Sequence, residues 1–294
     1  MLEQEIDKPT ATPDYSRRDF VRASVGSGFA AAVMPVTAQT LVSTGSGGLV
    51  AGPVTIPVGS FQMPAYRAQP DKPAGKNGFP VVLVISEIFG VHEHIADLTR
   101  RLARQGYLAI APELFIRQGD AKAAVDIPTL VRDVISKVPD AQVMADLDAT
   151  AAWAAANGGD ATRLAATGMC WGGRITWLYA AHNPKIEAAA AWYGRLVGEA
   201  SALQPKHPID LVGSLHAPVL GLYAEKDGGI PLDSVDKMKA ALAQGSAAAR
   251  KSEIVVFPGT QHGFLADYRP SFDRQAAEDA WKRMLAWFEA RGVA

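Results

Sequence analysis

Two hydrophobic patterns alternate along the chain. Short unbroken apolar runs, Pro80-Val81-Val82-Leu83-Val84-Ile85 above all, have the form of strands buried on both faces. Apolar residues at helical spacing lie between them: Ile95, Leu98, Leu102 and Ala103 recur until Gly106, and Tyr107-Leu108-Ala109-Ile110-Ala111 returns to strand character before Pro112. That is a βαβ unit. The alternation continues through a helix around Val143, Leu147, Ala151 and Ala154, a strand over Leu164 to Thr167, a helix over Gly173 to Ala181 and a strand over Ala188 to Trp192. Strands at Pro218 to Tyr223 and Ile254 to Phe257 follow, with helices at Ser234 to Ala243 and Arg274 to Phe288, while Val54 to Phe61 is β-rich near the start. The pattern predicts an α/β fold: one mostly parallel, doubly wound sheet flanked by helices, over residues 54–294, with no internal linker or repeat.

The first residues break this pattern. Arg17-Arg18-Asp19-Phe20 precedes an uncharged run from Ala23 to Met34, which Pro35 ends and the small residues Val36-Thr37-Ala38 follow. A hydrocarbon core needs about 20 apolar residues, so this run is too short for a stable membrane anchor. The order of basic, apolar and small residues resembles a twin-arginine export signal over residues 1–38. That implies the twin-arginine export machinery as a partner and a periplasmic or secreted location. Residues 39–53, rich in Gly, Ser and Thr, are expected to form a flexible leader. They lack the Lys-Ser or Lys-Thr that a phosphate loop requires.

Charge and cysteine usage narrow the chemistry. With 29 basic and 30 acidic residues the net charge is −1, so no overall field draws the protein to nucleic acid. The single cysteine, Cys170, excludes an internal disulfide and any multi-cysteine metal site. It lies in Gly168-Met169-Cys170-Trp171-Gly172-Gly173, between a predicted strand and helix, in the form Gly-x-nucleophile-x-Gly. Such a turn lifts the nucleophile above the sheet and aims the following amide, Trp171 N–H, at a developing oxyanion. No Gly-x-Ser-x-Gly occurs in the chain. A buried structural cysteine is the alternative, since free cysteine is often buried.

In open α/β sheets chemistry collects beyond the carboxyl ends of the strands. Asp227 follows the Pro218–Tyr223 strand and His262 follows the Ile254–Phe257 strand, which supplies a thiol with a base and an orienting carboxylate. His182, His207 and His216 lie at helix ends or in loops and are expected to be structural. Glu87 directly follows the Pro80–Ile85 strand, and Ile88 N–H is the candidate second oxyanion donor. Glu87, His92, Glu93 and His94 also admit a metal reading, but zinc sites use well-spaced ligands. His92 and His94 are therefore expected to be solvated residues at a helix start, with no metal between them.

Together, Glu87-Ile88-Phe89-Gly90, the Cys170 turn, Asp227 and Gly259-Thr260-Gln261-His262-Gly263-Phe264 resemble the dienelactone hydrolase (carboxymethylenebutenolidase) family. The resemblance implies an α/β-hydrolase fold and hydrolysis of a small-molecule ester or enol lactone through an acyl-cysteine. It implies a Cys170, His262, Asp227 triad, with Glu87 holding the resting thiol and helping to ionise it. Arg117 matches a family arginine that grips the substrate carboxylate, and Tyr193 matches a pocket tyrosine. The family's second arginine would fall at Ala266, and Arg269 lies three residues further on. A non-catalytic binding protein on the same fold, and a redox role for the lone thiol, are the competing functions.

Overall fold

The computed structural model describes residues 42–294. The expected export signal and residues 39–41 of the leader lie outside them. The strands are β1 (Leu49–Val58), β2 (Phe61–Pro70), β3 (Phe79–Ile85), β4 (Leu108–Pro112), β5 (Gly159–Met169), β6 (Ile186–Trp192), β7 (Val219–Ala224) and β8 (Glu253–Phe257). The helices are α1 (Glu93–Arg104), α2 (Ile127–Asp133), α3 (Asp140–Ala156), α4 (Trp171–His182), α5 (Leu232–Gln244) and α6 (Arg274–Glu289). All eight strands form one sheet, ordered β1-β2-β4-β3-β5-β6-β7-β8.

From β4 to β8 every neighbouring pair is parallel, whereas β1–β2 and β2–β4 are antiparallel. This is an α/β-hydrolase fold, its mostly parallel sheet flanked by helices. The continuous apolar runs have the cause assigned to them: every residue of β3, β4 and β7 is buried. On α1, Ile95, Leu98 and Leu102 are at most 2% exposed. Burial of each such side chain contributes about 1.5–3 kcal/mol. The strand order reverses at β3, which has β4 on one side and β5 on the other. A crevice at such a reversal, beyond the strands' carboxyl ends, is where ligands bind in folds of this kind.

The start of the sheet differs from the sequence expectation. The stretch from Val54 to Phe61, expected to be β-rich, is divided between two strands: the chain turns at Gly59 (φ 59°), and β1 pairs with β2 from Leu49↔Pro70 to Val58↔Phe61. Left-handed φ is what glycine permits and other residues resist. β1 is an outermost strand containing Pro53 and Pro57, residues without a backbone donor. It begins inside the stretch expected to be a flexible leader, and Val42, Thr44 and Gly45 of that stretch are hydrogen-bonded to α1 side chains or Asp267. Among the described residues no helix is long and apolar enough to cross a membrane.

Candidate active site

The turn after β5 is built by glycines that nothing larger could replace. A Cβ on Gly172 would lie 2.2 Å from the Ile85 carbonyl oxygen, and one on Gly173 would lie 2.4 Å from that of Trp192. The turn is thus wedged between the ends of β3 and β6. Cys170 sits at its apex with φ 58° and ψ −115°, a left-handed backbone unusual for a residue with a side chain. Its own N–H donates to Trp192 O at 3.0 Å, which pins the apex to β6. Trp171 is the first residue of α4. First-turn amides have no intrahelical acceptor, so its N–H suits an oxyanion.

His262 and Asp227 come together from the ends of β8 and β7. His262 Nδ1 lies 2.6 Å from Asp227 Oδ2, with both groups buried. The second carboxylate oxygen of Asp227 accepts the N–H groups of Gly229 (2.9 Å) and Ile230 (3.2 Å), which fixes its plane. Burial alone would lower the pKa of His262. The charge and hydrogen bonding of the Cys170 sulfur, with those of Asp227, outweigh that effect and raise it to about 10. Nδ1 of the imidazole thus faces the carboxylate, and the sulfur is among the groups that act on the ring. The Tyr193 ring meets it edge to face at 5.0 Å from a backbone at φ 37°.

Glu87, fully buried just beyond β3, receives three donors. Tyr268 OH donates to Oε2 at 2.6 Å, Arg269 Nη2 to Oε1 at 3.2 Å, and His92 Nε2 approaches Oε2 at 3.3 Å. Burial would raise its pKa, but the Arg269 charge and the His92 hydrogen bond hold it well below the usual carboxylate range. For His92 burial dominates and lowers the pKa, despite the bond to Glu87. His92 and His94 are not solvated as expected: both are packed inside, stacked at 6.1 Å, and His94 Nδ1 pairs with Asp267 Oδ1 at 2.9 Å. Nor do the four residues of the metal reading converge, since Glu93 reaches outward to Arg100. The Tyr268 contact was not legible in the sequence, because a tyrosine six residues beyond the histidine carries no motif.

The two arginines expected at a substrate carboxylate are each bonded to a carboxylate of the protein itself. Arg117 donates through both terminal nitrogens to Asp146, at 2.6 and 2.7 Å, and lies over the Phe61 ring at 4.2 Å. Arg269 is committed to Glu87 through Nη2, while its buried Nη1 has no hydrogen-bond partner among the described residues. The Ser86, Tyr193 and Trp171 polar side-chain atoms share that condition. Buried donors and acceptors are nearly always paired, so this group can orient a polar substrate. Outside the site, His182 pairs with Asp148 at 2.7 Å and His207 is packed against Arg174 and Glu199 O.

Comparison with known proteins shows the family of the chain. The profile of the dienelactone hydrolase family matches residues 63–292. A Methylorubrum extorquens protein with the provisional name carboxymethylenebutenolidase is 54% identical over 294 residues, covering 100% of this chain and 99% of its own. An Escherichia coli protein of the same provisional name is 55% identical over 266 residues, 90% of this chain and 96% of its own. A crystal structure from Klebsiella pneumoniae, provisionally described as a dienelactone hydrolase, superposes with a TM-score of 0.79 at 58% identity. It covers 82% of this chain and 98% of its own. A dienelactone hydrolase-like promiscuous phosphotriesterase from metagenomic libraries shares the fold at 21% identity and a TM-score of 0.67, over 83% of this chain and 99% of its own.

Proposed function

This chain belongs to the dienelactone hydrolase family and is a lactone or ester hydrolase, and from that premise we propose that it works through an acyl-cysteine on Cys170, served by His262 and Asp227. The observation that carries the reading is the buried His262, bonded to Asp227 at 2.6 Å on one side and raised in pKa by the Cys170 sulfur on the other. A histidine so placed can take the proton of the thiol, which makes the sulfur nucleophilic.

In the first half-reaction Cys170 Sγ attacks the carbonyl carbon and a C–S bond forms. The carbonyl oxygen takes the electron pair and is met by the N–H groups of Trp171 and Ile88; loss of one such donor costs about 3 kcal/mol, or on the order of a hundredfold in rate. The intermediate collapses, the C–O bond breaks, and His262 gives its proton to the departing oxygen. In the second half, water loses a proton to His262 and attacks the thioester. The C–S bond breaks and the thiolate returns to its imidazolium partner. Asp227 holds the tautomer with Nδ1 protonated and stabilises the cation. Activated esters and enol lactones suit a sulfur nucleophile best, because their oxygen leaves more readily than the thiolate.

Mass spectrometry during turnover of an aryl ester is the test. The wild type should gain the acyl mass on Cys170 and release the aryl alcohol in a burst, and Cys170→Ala should show neither. Full turnover by Cys170→Ala would exclude the assignment. Export before action belongs to the same proposal and is supported by the order of arginines, apolar run and small residues in 1–38. Replacing Arg17 and Arg18 with lysine in the full chain should then retain the protein in the cytoplasm; unaltered fractionation would rule export by this route out.

A further inference from the structure

A groove of about 240 Å³ lies between α1, α6 and the loop that follows His262, and none of the residues proposed for catalysis lines it. Its floor is apolar. Leu265 and Ala277 are buried there, while Phe272 and Trp281 pack against the core with part of each ring left uncovered. Charged side chains stand only at the mouth, where the Arg274 guanidinium lies 5.7 Å from the centre of the Phe272 ring and 3.9 Å from Glu278. Val42 forms one wall and is held from both sides. Its N–H donates to Asp267 Oδ2 at 3.0 Å and its carbonyl accepts Arg101 Nη2 at 3.5 Å. Beyond it the carbonyls of Thr44 and Gly45 accept from Arg100 at 2.7 Å and Arg104 at 3.0 Å, which lays the chain along α1. Whatever precedes Val42 therefore starts at the groove.

We propose that the groove is the docking site of the chain's own residues 38–41, Ala38-Gln39-Thr40-Leu41, with Leu41 covering the uncovered faces of Phe272 and Trp281. Length, charge and tethering all favour this occupant. Four extended residues span about 13 Å, and the α6 wall from Arg274 to Lys282 rises by about 12 Å. No charged residue occurs between Arg22 and Arg67, so the segment covers the floor without taking a charge out of water. Being joined to Val42, it is present at an effective concentration that a second copy or a free peptide does not match in dilute solution. The groove has a further property. Its largest wall is α6, the last helix of the chain, so the site is complete only when the carboxyl-terminal end has packed. Docking thus ties the stretch that leads back to residues 1–38 to the finished domain. The inference depends neither on Cys170 as nucleophile nor on export.

Disulfide trapping in the full chain tests it, because the one native cysteine, Cys170, is buried. Thr40→Cys would be paired with Glu278→Cys at the groove, or with Asp236→Cys, an exposed position on α5 that does not line it. A disulfide requires Cα atoms within about 7 Å of each other, so its rate of formation reports where residue 40 resides. Under mild oxidation the Glu278 pair should close within one molecule at least about tenfold faster than the Asp236 pair, as a docked segment has a high effective concentration at one place only. Adding Leu41→Asp should bring the Glu278 pair down to the slower rate. That change lies outside the domain's core elements, so a circular dichroism spectrum and melting temperature like the wild type's accompany it. Equal rates for the two pairs, or a fast rate that Leu41→Asp leaves unaltered, would overturn the proposal. A disulfide joining two molecules instead of one would also overturn it and make a second copy the occupant.

Discussion

At the residue scale the proposed chemistry rests on His262, a buried histidine whose pKa is raised. Its pKa rises from the ordinary 6.5 to about 10 although burial alone would lower it, because the Cys170 sulfur and the Asp227 carboxylate oppose that effect. His92, a few residues beyond β3, shows the reverse balance and is lowered by burial. The consequence for stability has a definite sign. A group whose folded pKa exceeds its unfolded value binds more protons in the native state, so its stabilisation is complete below about 6.5, falls above that and is gone beyond about 10. Urea unfolding midpoints measured across this window should therefore decline toward alkaline pH, and His262→Gln should remove that component of the decline.

At the element scale, what positions the sulfur is the meeting of β5, α4 and the ends of β3 and β6. A methyl group on Gly172 would stand 2.2 Å from a main-chain oxygen of β3, and the backbone has no flexible end to move aside. Gly172→Ala should thus lose stability by about 1–3 kcal/mol or more and lose activity with it. Gly213→Ala, where nothing lies within 4 Å, should melt like the wild type in a thermal scan. Much of this level is legible in the sequence. β3 and β4 are found because strands buried on both faces are apolar without interruption, and Cys170, Asp227 and His262 fall at strand ends on that reading. β2 is not found: Phe-Gln-Met-Pro-Ala-Tyr-Arg-Ala-Gln-Pro mixes prolines, an arginine and glutamines, as a strand in an antiparallel margin can. The partners of Glu87 are not found either. Tyr268 and Arg269 meet it across more than half of the chain, and residue spacing carries no information about such contacts.

For the whole molecule, Arg117, expected to grip a substrate carboxylate, is held as a clasp between layers. Arg117, after β4, joins Asp146 of α3 and Phe61 of β2, and Asp146 is only 1% exposed. Removing one partner of such a pair leaves a buried charge uncompensated, at a cost of about 3–5 kcal/mol. Arg117→Ala should accordingly lower the urea midpoint sharply; an unchanged midpoint with KM raised only for carboxylated substrates would restore the gripping role. The sheet's outer margin bears on a different property. A net charge of −1 gives the molecule almost no electrostatic repulsion against its own kind. Pro53 and Pro57 in β1 interrupt the row of donors that a neighbouring copy would need in order to add its own strand. At that margin resistance to fibrillar growth in concentrated solution thus falls to two imino acids, since surface charge supplies so little of it.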